Sequence, residues 1–482
     1  MKSLEAQLVR AMLGRSKPSV LMTDGYKFSM AQAGFPLRQE TFYLSFRRPG
    51  WYYIPFDLKE VVARLCPEGA TTAERAFLDA SGFALTSAME AALAWGPTVW
   101  AAPKGSWVRE QEPIVSVTAP SFLASWLEPL LVWLHAAIQI ATAVLKDGQS
   151  EFLCASESER TIIQLVLKAV GRGSGTSVMV NEALFLERVK KNAEDLVSAT
   201  RGDGERLFEV GMRSAHSMEM HRAALVQVAK AGITKTSNAF LAHELGLTLV
   251  GTTGHEHQQR WGRDLEGFRA IRDMRSATPS YLFDTYNAME LGIPDAVQVL
   301  KESPERPATV RFDSGDHEVQ LEAFAKSGVT PTYVFMDSMR PKRIADLEQA
   351  AKRLTIPPAK CLYGVGGFLV GGASPGKLTR DRVAAVYKLS NTGGRPVMKF
   401  SVPGKTSIPG QPVIFRRSLG NGPVGLIGQV GESPPTGYQI LSASQRPEVS
   451  GSQVGLSPQT EQYVQELRQF HFGDAKAFPA VG

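Results

Sequence analysis

Between residues 205 and 367 short apolar runs recur along the chain, and each is closed by a polar or glycine-rich cluster. Leu207-Phe208-Glu209-Val210 runs into Gly211-Met212-Arg213, and Gly232-Ile233-Thr234-Lys235 into Thr236-Ser237-Asn238. Leu247 to Val250 opens into Gly251-Thr252-Thr253-Gly254-His255-Glu256-His257, and Tyr281-Leu282-Phe283 ends in Asp284-Thr285-Tyr286. Thr309 to Phe312 ends in Asp313-Ser314-Gly315-Asp316, Tyr333 to Met336 in Asp337-Ser338, and Cys361-Leu362-Tyr363 in Gly364-Val365-Gly366-Gly367. Helical patterns fill most of the intervals, so the rhythm is βα and the strands are expected to be parallel. A barrel or wound sheet brings all those strand ends to one face, where such enzymes keep their sites. The predicted fold class is α/β, an irregular parallel α/β barrel.

The flanks follow a different pattern. Residues 1–20 suggest a helix and a turn, and Thr23 or Asp24 suits the N-cap of a second helix. Glu40 to Arg47 alternates apolar and polar residues and reads as a strand ending in Arg47-Arg48; residues 96–118 are strand-like and turn-rich. These segments predict a mixed sheet domain over 1–145, followed by the barrel over 146–385. The apolar run Phe122 to Leu145 carries Glu128, Pro129, His135 and Gln139, which favours a buried helix over a membrane span. Strand patterns resume at Val386-Tyr387-Lys388-Leu389, Pro396 to Ser401 and Pro412 to Phe415, so 386–482 is expected to return to the first sheet. Residues 417–460, rich in Gly, Pro and Ser, predict irregular loop, and a last helix is expected over about 458–470.

Composition changes this picture little. The chain has 482 residues, with 53 basic against 47 acidic and a net charge of +6. That excess is scattered, which fits a local phosphate pocket better than a nucleic-acid track. Cys66, Cys154 and Cys361 stand far apart and suggest neither a disulfide framework nor a zinc site. A reducing cytoplasm is the expected home, and the N-terminal residues lack the apolar core of a signal peptide.

Chemistry is expected at the strand ends. His255, between glycines and Glu256, is placed to act as nucleophile or base near neutral pH. Arg311 and Asp313 are two apart and would share one face of a strand. Carboxylates there could hold ribose hydroxyls or waters around Mg²⁺, or form a plain ion pair. Gly364-Val365-Gly366-Gly367 would let main-chain amides approach an anion, or make a tight turn. His255 and His257 would share a face if extended, a metal reading that would make the chain a hydrolase; no HExxH or CxxC pattern supports it. GxGxxG is missing after the first strand, which argues against a dinucleotide.

Taken together the motifs resemble the nicotinate phosphoribosyltransferase family. They are Thr23-Asp24-x-Tyr26, the strand ending in Arg47, Gly211-x-Arg213, Thr236-Ser237-Asn238, Gly251-Thr252-x-x-His255-Glu256 and Asp284-Thr285-Tyr286. They continue with Arg311-x-Asp313-Ser314-Gly315-Asp316, Gly364-Val365-Gly366, Val386 to Leu389, Met398-Lys399 and Lys405-Thr406-x-x-Pro409-Gly410.

The resemblance implies formation of nicotinate mononucleotide and pyrophosphate from nicotinate and phosphoribosyl pyrophosphate, in NAD salvage. It implies ATP hydrolysis coupled through a phosphohistidine at His255, with Glu256 orienting the imidazole and Asp313 completing the catalytic set. By the same resemblance Arg213 and Tyr26 frame the pyridine ring, with Arg47, Thr236 and Ser237 also on the substrate side. Val210, or Phe208 in its stead, takes the place of an aromatic that stacks on the ring. Asp284, Arg311 and Asp313, with Ser314 and Gly315, are expected at the ribose and pyrophosphate, Asp284 and Asp313 also holding Mg²⁺. The Asp337 loop, Gly364, Gly366 and Gly367 are expected at the 5′-phosphate. Asp24 and Tyr26 are expected from a neighbouring subunit, hence a homodimer with a shared active site. Ser237 stands where nicotinamide phosphoribosyltransferases carry an acid, which favours nicotinate. A nicotinamide enzyme and a catalytically silent nucleotide-binding homologue are the alternatives.

Overall fold

The computed structural model describes residues 2–173, 175–275, 278–376, 378–400, 406–418, 422–443 and 454–473. All seven recurring runs are strands of one parallel sheet: Leu207–Glu209, Lys235–Thr236, Thr248–Leu249, Ser280–Leu282, Thr309–Phe312, Thr332–Phe335 and Cys361–Val365. In space the strand Leu207–Glu209 lies between Lys235–Thr236 and Cys361–Val365, which leaves Thr248–Leu249 and Ser280–Leu282 at the two edges. The sheet is a curled half-barrel whose edges meet through side chains instead of a ladder. Thr253 Oγ1, just past one edge strand, donates to Ser280 O of the other at 3.0 Å.

The strand alternation explains the two faces. Val310, Phe312, Tyr333, Phe335, Cys361 and Tyr363 are buried in the main core, on the side of the surrounding helices. The residues between them face inward. Phe208, Val334 and Met336 form a separate apolar cluster, packed by Val210, Val250 and Leu362, on the concave side. Arg311 shares that inward phase, so the half-barrel has an apolar floor with one guanidinium set into it.

A second sheet of five antiparallel strands runs in the order Arg395–Pro396, Ala385–Thr392, Gln39–Phe46, Val115–Pro120, Thr98–Ala101. The strand after the barrel therefore pairs with the first strand of the chain, Tyr43 opposite Lys388. Within Glu128–Asp147, the described run long and apolar enough to cross a membrane, 94% of the most apolar window is buried in the protein, as in a core helix.

The expectation of irregular loop over 417–460 is corrected where residues are described. Gly425–Gln429, Tyr438–Ile440 and Val454–Leu456 join Pro412–Arg417 in a four-stranded sheet. Its glycines are packing positions: a Cβ on Gly428 would stand 2.1 Å from the Phe415 ring. The last helix spans Pro458–Phe472, capped by Ser457.

Candidate active site

A cavity of about 540 Å³ opens over the C-terminal ends of the parallel strands, walled on its other side by the antiparallel sheet. His255 begins the helix His255–Trp261, with Gly254 as its N-cap. The imidazole Nδ1 is 3.1 Å from Thr285 Oγ1, and Nε2 lies 3.3 Å from Asp313 Oδ2 and 2.5 Å from Lys399 Nζ. An ammonium can only donate, so Nε2 must accept and the ring proton sits on Nδ1, toward Thr285. Burial, with Lys399 beside it, outweighs the pull of Asp284 and Asp313 and brings the imidazole down to about 4. His255 is thus neutral at physiological pH, with its lone pair on Nε2.

Glu256 does not orient this ring, contrary to expectation. Its carboxylate lies 3.1 and 3.3 Å from Lys27 Nζ and also accepts from Ser125. Helical geometry is the reason: consecutive residues leave the helix on different sides. The same geometry removes the paired-histidine metal reading, because His257 turns away and its Nε2 is 2.7 Å from Gly267 O.

Across the seam from His255 stand the ends of the strands Ser280–Leu282 and Thr309–Phe312. Arg311 donates to Asp313 Oδ1 at 2.5 Å, to Thr253 O at 2.5 Å and to Thr252 Oγ1 at 3.1 Å. Burial would push the Asp313 carboxyl up, but the charges of Arg311 and Lys399 hold it well below the usual carboxylate range. Ser314 donates to Asp284, and Gly315 turns the loop with φ +85°, its place fixed by Gln320 donating to Ser314 O at 2.8 Å. Asp316 is not part of the site; it caps the helix His317–Lys326.

The Asp337 loop and the glycine run line the opposite wall. Asp337 and Ser338 both take positive φ, 65° and 54°, in a turn that lines the cavity. Gly364 and Gly366 are needed for packing as well as access. A Cβ would meet the Phe208 ring at 2.8 Å in the first case and Val210 O at 2.8 Å in the second.

At the deep end a small cleft joins the cavity, lined by Asp24, Tyr26, Phe208, Val210, Arg213 and Ser237 among others. Ser237 donates to Asp24 Oδ1 at 2.6 Å, and Arg213 donates to Glu128 Oε1 at 3.1 Å. Burial raises the Asp24 carboxyl, against Arg213 and the Ser237 hydrogen bond. Thr236 stands behind the cleft, donating to Glu209 at 2.8 Å. Phe208 and Val210 both line the cleft, and Phe208 is the aromatic one of the two.

Asp24 and Tyr26 reach this cleft from the same chain, which corrects their expected origin in a neighbouring subunit. Gly25 N donates to Ser237 O at 2.7 Å and Ala239 N to Thr23 O at 3.1 Å. Gly251 lies so flush on this segment that a Cβ would stand 2.6 Å from Tyr26 N. Two glycines in facing loops let the N-terminal helix abut the histidine loop.

Sequence reasoning assigned no role to several residues that the fold brings here. Lys399 contacts His255, and Lys388, Arg380, Arg340 and Glu128 line the cavity. Lys388 and Lys399 sat inside recognised motifs, but nothing in a strand pattern tells which side a lysine faces. Burial, with Lys399 and Arg47 nearby, brings the Lys388 ammonium down to about 7 despite Glu128. Arg47 lines the same wall and bonds Thr406 O at 3.4 Å. So many cations around one cavity suit a multiply charged anion. Lys405 of the last motif lies outside the described residues.

No family model matches the chain. It is 27% identical over 424 residues, 84% of its own length and 76% of the relative's, to the nicotinate phosphoribosyltransferase pncB2 of Mycobacterium tuberculosis. A nicotinate phosphoribosyltransferase of Bacillus subtilis is 26% identical over 225 residues, 43% of each chain. These curated relatives support a likeness to the nicotinate phosphoribosyltransferase family. The fold agrees with that family. The structure of the Porphyromonas gingivalis nicotinate phosphoribosyltransferase superposes with a TM-score of 0.56 at 20% identity, covering 81% of this chain and 95% of that one. The Vibrio cholerae nicotinate phosphoribosyltransferase gives 0.57 at 18% identity, covering 80% and 88%.

Proposed function

We propose that this chain transfers phosphoribosyl from phosphoribosyl pyrophosphate to nicotinate, releasing pyrophosphate and forming nicotinate mononucleotide for NAD salvage. The observation that carries the reading is the single cavity shared by His255, Arg311, Asp313, the Asp337 loop, Gly366 and Arg213. A flat heteroaromatic acid fits the deep cleft, between Tyr26 and Phe208, with Arg213 to meet its carboxylate. The sugar and its phosphates fit the wider, cation-rich mouth. Departure of pyrophosphate leaves positive charge on the ribose, so Asp284 and Asp313 below the strand ends stabilise the transition state more than a strong base would.

Asp284 and Asp313 also suit Mg²⁺. Their carboxylates and His255 offer donor atoms within 4.8 Å of one another, and Asp284 Oδ1 is buried without a hydrogen-bond partner among the described residues. Two hard oxygens are what that ion takes, with waters and phosphate oxygens completing its shell. When bound it would neutralise pyrophosphate charge.

His255 is the residue proposed to accept phosphate from ATP on Nε2. A phosphoryl group there replaces a neutral ring by a dianion beside Asp313 and Lys399, so the two states bind pyrophosphate and its precursor differently, which coupling requires. Among the described cysteines all three are free, in keeping with a reducing cytoplasm.

One observation favours nicotinamide instead: the Asp24 carboxylate stands at Ser237 and could accept from an amide. The substrates separate the readings. With phosphoribosyl pyrophosphate, ATP and Mg²⁺, we expect pyrophosphate release with nicotinate and little with nicotinamide or quinolinate. Turnover of nicotinamide alone would overturn the substrate assignment, and binding without turnover of any pyridine would make the protein a silent homologue.

A further inference from the structure

The reaction cavity has a second wall that the proposed chemistry does not use. Lys27 lies behind it, 1% exposed, on the helix Gly25–Gln32. Its ammonium is 2.5 Å from Glu128 Oε2 and 3.1 Å from Glu256 Oε1. Neither carboxylate is spare. Glu128 holds the two residues that face the ring cleft, accepting from Arg213 at 3.1 Å and from Tyr26 OH at 2.6 Å. Glu256 follows His255 on the first turn of its helix and accepts from Ser125, with Arg260 at 3.8 Å. Arg260 in turn donates through Nε and Nη2 to Glu40 at 3.0 Å, in the strand Gln39–Phe46 of the antiparallel sheet.

An unbroken line of buried charges thus runs Arg213, Glu128, Lys27, Glu256, from the ring cleft to the helix that begins at His255. Lys27 lies within it and, among the described residues, is the one cation paired with both carboxylates. Displacing the buried ammonium would strip each carboxylate of its nearest cation, so a shift of either acid is felt by the other. Phosphorylation of His255 puts negative charge at the start of the helix bearing Glu256. That charge acts on Glu256, through Lys27 on Glu128, and so on Arg213 and Tyr26.

We infer that Lys27 is a positioning residue that couples the phosphorylation state of His255 to the affinity of the pyridine cleft. The inference rests on the ATP-coupled reading above and names the path by which one site biases the other. Lys27 itself does not line the cavity, whereas Glu128 and Glu256 both do.

The test uses the full chain and compares the nicotinate KM with and without ATP, together with phosphate bound at His255, in wild type, Lys27→Met, Glu256→Gln and the double variant. Lys27→Arg keeps the charge and serves as the conservative rescue. We expect ATP to lower the wild-type nicotinate KM at least fivefold, and Lys27→Met to reduce that effect to less than twofold while His255 still takes up phosphate. Lys27→Arg should recover at least half of the effect. The double variant, which removes one charge of each sign, should match the single one and serves if Lys27→Met fails to fold. A folded Lys27→Met or double variant that keeps the full ATP effect would overturn the inference. So would a wild type whose nicotinate KM ignores ATP. A wild type that transfers to no pyridine overturns the functional reading itself and is a different result.

Discussion

A histidine that accepts a phosphoryl group must present one nitrogen as a lone pair, and the residues that arrange this at His255 lie far apart in the chain. Thr285 Oγ1 accepts from Nδ1–H, and Lys399 donates to Nε2. Replacing Thr285 by Val removes one hydrogen bond, about 1 kcal/mol, so phosphate uptake from ATP should slow by roughly fivefold to tenfold with little change in stability. The pH dependence follows from burial. His255 titrates near about 4 instead of 6.5, so it stays deprotonated through the physiological range. Uptake of phosphate should show no step near 6.5 that belongs to this ring; a sharp fall there would contradict its environment. Burial brings His257 down to about 4 as well, so both rings stay neutral in the folded chain where the unfolded chain would protonate them. Their contribution to stability is complete above about 6.5 and is lost as pH falls toward 4, visible as a falling Tm. At this scale the sequence showed the Arg311–Asp313 pair, since two residues on a strand share a face. It misassigned Glu256, because adjacency in sequence says nothing about direction once the residues become helical.

Among elements, the apolar runs that form strands of three or more residues were readable because those strands are largely buried on both faces, and such strands cannot hide among polar residues. The glycine run after the last of them was readable as a loop, but its packing role was not. Gly366→Ala puts a Cβ 2.8 Å from Val210 O, a main-chain atom that cannot move aside. We expect a cost of about 1–3 kcal/mol, measured by denaturant unfolding, together with a weaker site for phosphoribosyl pyrophosphate. The strands after residue 417 were not readable, since Gly, Pro and Ser look like loop when the apolar partners, such as Phe415, lie on another strand. Short edge strands of two residues, such as Thr248–Leu249, carry too little pattern to define a boundary, yet one of them aims His255.

For the whole molecule, the decisive contact is between the antiparallel sheet with its N-terminal helix and the half-barrel. Arg260 and Glu40, both buried, tie the histidine helix to the first strand. Arg260→Met leaves Glu40 uncompensated and should cost about 3–5 kcal/mol of global stability, read as a lower denaturation midpoint. The return of the chain at Ala385–Thr392 to pair with Gln39–Phe46 closes the same unit from its far end. This long-range pairing was legible only as a resumption of strand pattern, because register is a property of two segments at once. Since Asp24 and Tyr26 belong to the chain's own cleft, specific activity should stay constant on dilution through any dimer dissociation; a steep loss with dilution would show that a second subunit completes the site.

If His255 and the phosphoribosyl pyrophosphate site share one cavity, phosphate labelling will show it. The intact chain is incubated with ATP labelled in its γ-phosphate and Mg²⁺, the labelled residue is mapped, and phosphoribosyl pyrophosphate with nicotinate is then added. We expect label on His255 that is discharged when both substrates are present and is absent in His255→Ala. Label on another residue, or label on His255 that the substrates leave untouched, would contradict the shared cavity.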